Sequence, residues 1–498
     1  MQQLRATTQA RRRFLKYTAL GTLIPGVGLI AAGRRRTGWT IIIVLVVAAL
    51  AVAAYLVQGG QSRLLSLGLD SSVLRFAGYG FAALALLWLM IAIVSRRALE
   101  PPNAGTGTRL VSALLVIVIG SAVITPMLVL SRYAFSSRTL VDRVFPGLAG
   151  LPSLTKPTAA SEANPWAGKS RVNVLILGSD AGPDREGVRP DTIILASIDT
   201  RSGATTLFQL PRNLSRVPFP NVPGPAGQLH WLYPNGFTGG GVDGESIINA
   251  VYRNVPAAHP EIFAGVPDPG AEATKLAVMG ALGVDVDYYV MVNLAGFEAV
   301  INALGGIDIN VPYRIPMGAT SRPGGGCSQP FGWIEAGRNR HLDGQQALWY
   351  ARARCGPGIP NDDYERVRRQ RCVIAAVADA ADPLTLITKY TQITSAAQDL
   401  ITTDIPQELL PAFAELGLKV KRQEMRSVAF TNEVINPANP DYAYMHAIVQ
   451  NALAQKPTAA APAPTSTPAG AAATPDPNAP PKISSDTGQP QPLSSLCD

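Results

Sequence analysis

Three long uncharged runs dominate the first third of the chain: 39–58 (WTIIIVLVVAALAVAAYLVQ), 76–95 (FAGYGFAALALLWLMIAIVS) and 110–131 (LVSALLVIVIGSAVITPMLVLS). Each has about 20 residues, the length a helix needs to cross a hydrocarbon core of roughly 30 Å, so residues 39–131 are expected to form three transmembrane helices. An earlier apolar run, 19–33, is shorter and is interrupted by Pro25 and several glycines. Arg11, Arg12, Arg13 and Lys16 precede it, and Arg34, Arg35 and Arg36 follow it. Basic residues stay on the cytoplasmic side, so charge on both flanks predicts a re-entrant or interfacial segment inside a basic arm, 1–38. A cleaved signal peptide is the competing reading, and the following arginines and second apolar run count against it. With the amino terminus inside, three crossings place everything beyond residue 131 outside the cell. Arg96, Arg97 and Arg109 then fall in a cytoplasmic loop as the charge rule requires, whereas Arg63 and Arg75 run against it.

The pattern changes beyond the membrane region. Residues 132–167 are expected to be a linker, with a Pro-, Ala- and Gly-rich stretch from 144 onward. From 455 to 498 the chain is a Pro/Ala-rich low-complexity tail too poor in large apolar residues to pack a core, apart from a terminal Cys497 able to return to the fold. Between them, 168–454 reads as one globular domain. VNVLILG (172–178), TIILASI (192–198) and ATTLFQL (204–210) are β-branched apolar runs of buried strands. Helical spacing appears at 244–254 and 271–282. A strand at 286–293, a helix at 294–306 stopped by glycines, and a strand at 307–312 follow. Helices alternating with buried strands predict an α/β fold, an α-β-α sandwich with a central, largely buried mixed sheet behind an N-terminal helical transmembrane region.

Charge narrows the functional classes. Residues 1–150 carry 16 Lys or Arg against three acids, a net +13, which leaves −5 on residues 151–498 from the whole-chain +8. A nucleic-acid-binding domain needs a basic footprint, and this external body is mildly acidic, so no nucleic-acid partner is expected. All four cysteines, Cys327, Cys355, Cys372 and Cys497, fall in the external part and predict two disulfides whose pairing stays open. No CxxC occurs and the four histidines are scattered, which argues against zinc.

Polar residues mark the strand ends. Asp180 stands where the first strand gives out, Arg189 and Asp191 precede the second, and Arg212 follows the third, positions where α/β sheets gather ligands. HLDGQQALWYARAR reads as a helix passing into an extended segment in which Arg352 and Arg354 share a face. DDYERVRRQRC reads as a helix with Asp363, Arg366 and Gln370 on one stripe and Arg369 flanking it. Arg368 and Arg371 point elsewhere, solvated or paired with Glu365.

The order GSD, RPDT, PRN, VDYYVMVNLAGFEAVINALGGIDINVP, LDGQQALWYARAR and DYERVRRQ, over about 170–375, resembles the LytR-CpsA-Psr family of cell-envelope proteins. The resemblance implies a membrane-anchored transferase that takes a glycopolymer from a polyprenyl-pyrophosphate carrier and joins it to peptidoglycan through a phosphodiester. It implies a Mg²⁺ (or Mn²⁺) requirement and an apolar cleft for the prenyl chain between sheet and helices. By position, Arg189, Arg212, Arg352, Arg354, Arg366 and Gln370 match its pyrophosphate-binding residues, with Arg212, Arg352, Arg354 and Asp191 expected to be catalytic. Asp180 and Asp191 match its metal-linked acids, and Asp363 its last acid. Two departures stand out: Asn213 where an acid is usual, and Gln228 where a basic residue is common.

The residues make that chemistry intelligible by themselves. Guanidinium forks match phosphate geometry in pairs and stay charged at any working pH, and Mg²⁺ is usually held by one or two carboxylates plus substrate phosphates. Electrostatics of this kind carries phosphoryl transfer without a nucleophilic side chain, and neither GxSxG nor a P-loop is present. Asp191 or another acid of the group is a candidate general base. A pyrophosphate hydrolase and a non-catalytic envelope regulator or scaffold are the alternatives.

Overall fold

The computed structural model describes residues 2–147, 152–157, 159–179, 188–221, 226–239, 244–322, 325–356, 359, 363–381, 401–455 and 488–497. The chain divides into two compact units, Met1–Val141 and Asp142–Asp498.

The first unit is helical. Helices α1 (Gln2–Leu23) and α2 (Val27–Ala31) precede α3 (Arg35–Leu69), α4 (Ser71–Leu99) and α5 (Thr106–Val144). Segments Arg35–Tyr55, Ser71–Leu99 and Thr106–Thr139 are long and apolar enough to cross a membrane. Their large apolar side chains face outward, Leu86 being 69% exposed and Ile117 65%, the reverse of a water-soluble bundle. The broken apolar run 19–33 forms a hairpin of α1 and α2, turned at Gly26, whose φ is +101°. Gly28 allows the hairpin to lie against α4, because a Cβ there would sit 2.7 Å from that of Ser95. Trp88 Nε1 donates to the Thr22 carbonyl at 2.9 Å. Helix α5 continues through residues 132–144, where the sequence suggested linker.

The second unit is built on a seven-stranded sheet. Its strands in chain order are β1 (Arg171–Ser179), β2 (Pro190–Asp199), β3 (Thr205–Leu210), β4 (Tyr288–Asn293), β9 (Ile401–Thr403), β10 (Arg426–Ala429) and β11 (Gln491–Pro492). The spatial order is β11-β10-β3-β2-β1-β4-β9. β1 pairs β4 in parallel and β3 pairs β10 in parallel, the other pairings being antiparallel, so the sheet is mixed. Two smaller pairs, β5 (Ile307–Val311) with β8 (Gly337–Leu342) and β6 (Ile315–Met317) with β7 (Gly332–Ile334), lie outside it.

Both faces of the sheet are covered, which is why its strands read as continuous apolar runs. Leu175, Leu177, Ile193 and Leu195 point into one core with α7 (Ile248–Ala258), α8 (Pro269–Leu282) and α13 (Tyr442–Ala454). Alternate residues such as Ile176 and Ile194 point to the opposite face. There α9 (Leu294–Leu304), α10 (Gly344–Arg352) and α11 (Asp363–Ala380) pack, partly against the β5–β8 pair. The remaining helices are α6 (Ala226–Leu232), α12 (Leu410–Val420) and α14 (Leu493–Cys497).

The second half of the expected linker is docked rather than loose. Glu272 of α8 is buried, and its Oε1 accepts from Ser153 Oγ at 2.9 Å and from the backbone N–H groups of Leu154 at 2.6 Å and Thr155 at 3.1 Å. The far end of the expected tail also returns. Residues 488–497 add the edge strand β11, and Gln455 Nε2 reaches Gln489 Oε1 at 3.4 Å. Both disulfides form, Cys327–Cys355 and Cys372–Cys497.

Candidate active site

The strand register gathers the site. Ser179 at the end of β1 stands opposite Pro190 at the start of antiparallel β2 and beside Asn293 at the end of parallel β4. β3 runs antiparallel to β2, so Arg212 emerges next to Asp191. One edge of the sheet thus carries Ser179, Asp191, Arg212 and Asn293. Above it a cavity of about 710 Å³ lies between the sheet and α9, α10 and α11, within the roughly 300–1,000 Å³ usual for small-molecule sites.

The cavity is two-sided in character. Ile176, Val292, Phe297, Leu348, Val373 and Ile374 form an apolar arm, and Arg189, Asp191, Arg212, Arg352, Arg354 and Arg366 line the polar part. Asp191 joins two of the arginines: Oδ1 accepts from Arg212 Nη1 at 2.8 Å and Oδ2 from Arg354 Nη2 at 3.1 Å. Burial alone would raise the Asp191 carboxyl. The Arg212 hydrogen bond and the charges of Arg212, Arg354 and Arg366 outweigh burial and hold its pKa below the usual carboxylate range.

Helix α11 supplies a graded wall. Arg366, Gln370, Val373 and Val377, at i, i+4, i+7 and i+11, all line the cavity, so one helix face passes from guanidinium to aliphatic. Gln370 is fixed by Gln209 Nε2 at 2.9 Å. Asp363 is the first residue of the helix, and its side chain lies outside the described atoms.

The other arginines of α11 meet expectation only in part. Arg368 does pair with Glu365, and it also donates to the Leu496 carbonyl at 2.7 Å. Arg371 is not solvated but buried, donating to Ser427 Oγ at 3.1 Å. Arg369 is completely buried and donates to the backbone carbonyls of Tyr350 and Ala353. These are orphan carbonyls at the carboxyl end of α10, the groups a helix terminus leaves unsatisfied.

The ARAR segment is therefore not a strand. Helix α10, opened by a capping box between Asp343 and Gln346, persists through Arg352, and Ala353 (φ −58°, ψ 127°) turns the chain outward. Both guanidinium groups still reach the cavity. Arg352 lies over the Trp349 ring at 5.0 Å from its centroid.

At the rim, Arg189 is paired through Nη2 with Glu245, and its Nη1 donates to the Gly244 carbonyl at 3.3 Å. Glu245 also accepts from Asn254 Nδ2 at 2.6 Å, and this bond followed by that of Arg189 lowers its pKa. Asn213 is exposed beside a small second pocket shared with Asp191, Gln209, Arg366 and Gln370. Asp180 and the side chain of Gln228 lie outside the described residues and atoms. Sequence reasoning missed Glu245, the burial of Arg369 and the Trp349–Arg352 contact. Only the last had a local signal, the i, i+3 spacing on α10.

Among the described residues, no group of three His, Cys, Asp or Glu side chains converges on a point. Asp191 is the carboxylate lining the cavity among the described residues. That donor set fits a hard cation completed by substrate phosphates, and not a cage made by protein alone.

An α-β-α sandwich with an arginine-lined, half-apolar cavity at one sheet edge is the class of protein described here. Residues 153–460, more than half the chain, match the LytR_cpsA_psr family, and the chain belongs to it. The resemblance seen in the motifs is thereby borne out. The polyisoprenyl-teichoic acid–peptidoglycan teichoic acid transferase TagU of Enterococcus faecalis is 27% identical over 274 residues, 54% of this chain and 74% of that protein. The TagU of Bacillus cereus strain ATCC 14579 is 23% identical over 276 residues, 55% of this chain and 74% of that one. Among solved structures, the LytR-Csp2A-Psr enzyme from Actinomyces oris is 19% identical with a TM-score of 0.38, covering 62% of this chain and 96% of that one.

Proposed function

We propose that the protein is a membrane-anchored phosphotransferase that moves a glycopolymer phosphate from a polyprenyl-pyrophosphate carrier onto peptidoglycan, forming a phosphodiester. The observation that carries this reading is one cavity in which an apolar arm meets a polar part lined by Asp191 and five arginines. A prenyl chain matches the apolar arm, and a pyrophosphate matches guanidinium forks. The names of the TagU relatives support the same substrate classes. The three apolar helices are read as the anchor, crossing the membrane so that residues 168–454 act outside the cell.

In this reading an acceptor sugar hydroxyl attacks the glycan-linked phosphorus. The bond from that phosphorus to the bridging oxygen breaks, and polyprenyl phosphate leaves, taking up the hydroxyl proton. Arg189, Arg212, Arg352, Arg354 and Arg366 bind the anionic oxygens and stabilise charge developing on the leaving phosphate, with Gln370 placed by Gln209 beside them. Asp191, held ionised between two arginines, is a weak proton acceptor. Its part is to hold Arg212 and Arg354 together rather than to act as general base. Bound Mg²⁺ (or Mn²⁺), held by Asp191 with substrate phosphates, would add neutralising charge, and Asp180 is a candidate second carboxylate.

The test uses the full chain in detergent with a polyprenyl-pyrophosphate-linked oligosaccharide, Mg²⁺ and uncrosslinked peptidoglycan, followed by mass spectrometry. The expected product is a glycan-phosphate adduct on the acceptor that disappears in Arg212→Ala. Free glycan phosphate without adduct at high acceptor concentration would instead make the protein a hydrolase, and turnover intact in both Arg212→Ala and Arg352→Ala would remove the site.

A further inference from the structure

The cavity accounts for a lipid and a pyrophosphate, and leaves the sugar end of such a donor without a described partner. Next to the arginines, the structure carries a strip of aromatic rings that the proposed chemistry does not use. It begins at Trp349, which lines the cavity with Arg352 over its face. Phe331 meets Trp349 edge-on, ring centroids 5.9 Å apart and planes at 81°. Phe331 is 65% exposed, an unusual state for a ring already in contact with a cavity wall.

The strip continues along the β6–β7 pair. Phe331 N–H donates to the Met317 carbonyl at 2.9 Å, which extends the ladder by one residue and puts Phe331 and Trp333 on the same side of the chain. Ile334 and its partner Ile315 take the opposite, buried side. Arg314 covers Trp333 at 4.2 Å and pairs with Glu335. Phe331 thus meets Trp349 and shares a strand side with Trp333, with Arg352 over the first tryptophan and Arg314 over the second. Gly318, at φ +88°, leaves room for the Phe331 ring, since a Cβ there would lie 2.3 Å from Phe331 Cδ1. The strip thus pairs apolar ring faces with guanidinium donors at Arg352 and Arg314.

We propose that Trp349, Phe331 and Trp333 form a pyranose-binding subsite that receives the first sugars of the donor glycan next to its pyrophosphate. The C–H faces of a pyranose pack on aromatic rings while its hydroxyl rim accepts from Arg352 and Arg314. A flat apolar surface with few convergent polar groups suits that mixed character. The inference rests on the proposed donor class, since the sugar is located by the phosphate beside it.

The test is equilibrium binding to the full-length protein in detergent, with two probes that share one lipid: a polyprenyl pyrophosphate, and the same molecule bearing one N-acetylhexosamine. Phe331→Ala and Trp333→Ala change side chains outside the lining of the arginine cavity, and far-ultraviolet circular dichroism checks that both remain folded. Each is expected to weaken the sugar-bearing probe by about threefold to tenfold, the scale of one lost aromatic contact, and to leave the sugar-free probe within about twofold. Equal losses for both probes would make the strip part of the lipid wall and overturn the subsite. No loss for either would overturn it as well. Wild-type protein that binds neither probe would overturn the donor assignment and the subsite together, a result read without any variant.

Discussion

Arg369 lies away from the reacting atoms, yet its replacement should cost activity out of proportion to stability. Arg369→Met keeps an unbranched stem in the same space and removes the two hydrogen bonds to the Tyr350 and Ala353 carbonyls. Bonds from a charged donor contribute about 1.5–3 kcal/mol each, so the gross loss is roughly 3–6 kcal/mol. The variant also no longer buries a charge, and relief of that desolvation returns several kcal/mol. The two effects largely offset, leaving a net destabilisation of about 1–3 kcal/mol and a Tm lowered by a few degrees. Catalytic geometry has no such compensation. Ala353 joins Arg352 to Arg354, and the 3.1 Å contact of Arg354 with Asp191 depends on where that residue sits. A displacement of about 1 Å at a reacting centre can lower rates by roughly 100-fold. The assay pairs thermal unfolding with kcat/KM for glycan transfer. Arg369→Lys, a point charge without a planar fork, should fall between the wild type and Met. Wild-type kcat/KM in Arg369→Met beside a lowered Tm would refute the reasoning, because the clamp would then stabilise without positioning.

Asp191→Asn should lower kcat/KM by about 100-fold or more, the scale of losing a preorganised electrostatic partner, measured with the same transfer assay. Because the folded pKa of Asp191 is depressed, its stabilising contribution is complete above the ordinary carboxylate range and is lost as pH falls through the folded value. A pH profile of kcat/KM should accordingly show no Asp191 titration between about pH 5 and 8. Glu245→Gln weakens the hold on Arg189 at the rim and should raise KM by about threefold to tenfold with a smaller change in kcat, in steady-state kinetics. Cys497→Ser opens a disulfide closing 125 residues of sequence, and should reduce stability by about 4 kcal/mol in thermal or denaturant unfolding.

The main strands were legible because both faces of the sheet are covered, so each reads as an unbroken apolar run ended by polar residues. The short strands β9, β10 and β11 carry too few residues for any period to register, and their pairing depends on partners far away in sequence. The arginines show the same division. That Arg212 follows β3 and that Arg366 and Gln370 share a helix stripe are local facts of spacing. That Arg369 and Arg371 are buried is not local, because what makes burial tolerable is the carbonyls of α10 and the hydroxyl of Ser427. The extended reading of ARAR failed for the same reason: the capping box favours helix from Asp343, and Arg369 gathers the carbonyls at its end. Glu245 had no sequence signal, since its importance comes only from meeting Arg189.

Gln455 and Gln489 are hydrogen-bonded neighbours, so the residues on either side of 456–487 are held together at one place. Ends fixed in this way constrain the length between them very little. The entropy of closing a flexible loop grows only with the logarithm of its size, and doubling it costs about 0.6 kcal/mol. This stretch can accordingly drift in length and composition between relatives, or accept an inserted epitope or fluorescent domain, while the strand beyond it still pairs and Cys497 still meets its partner.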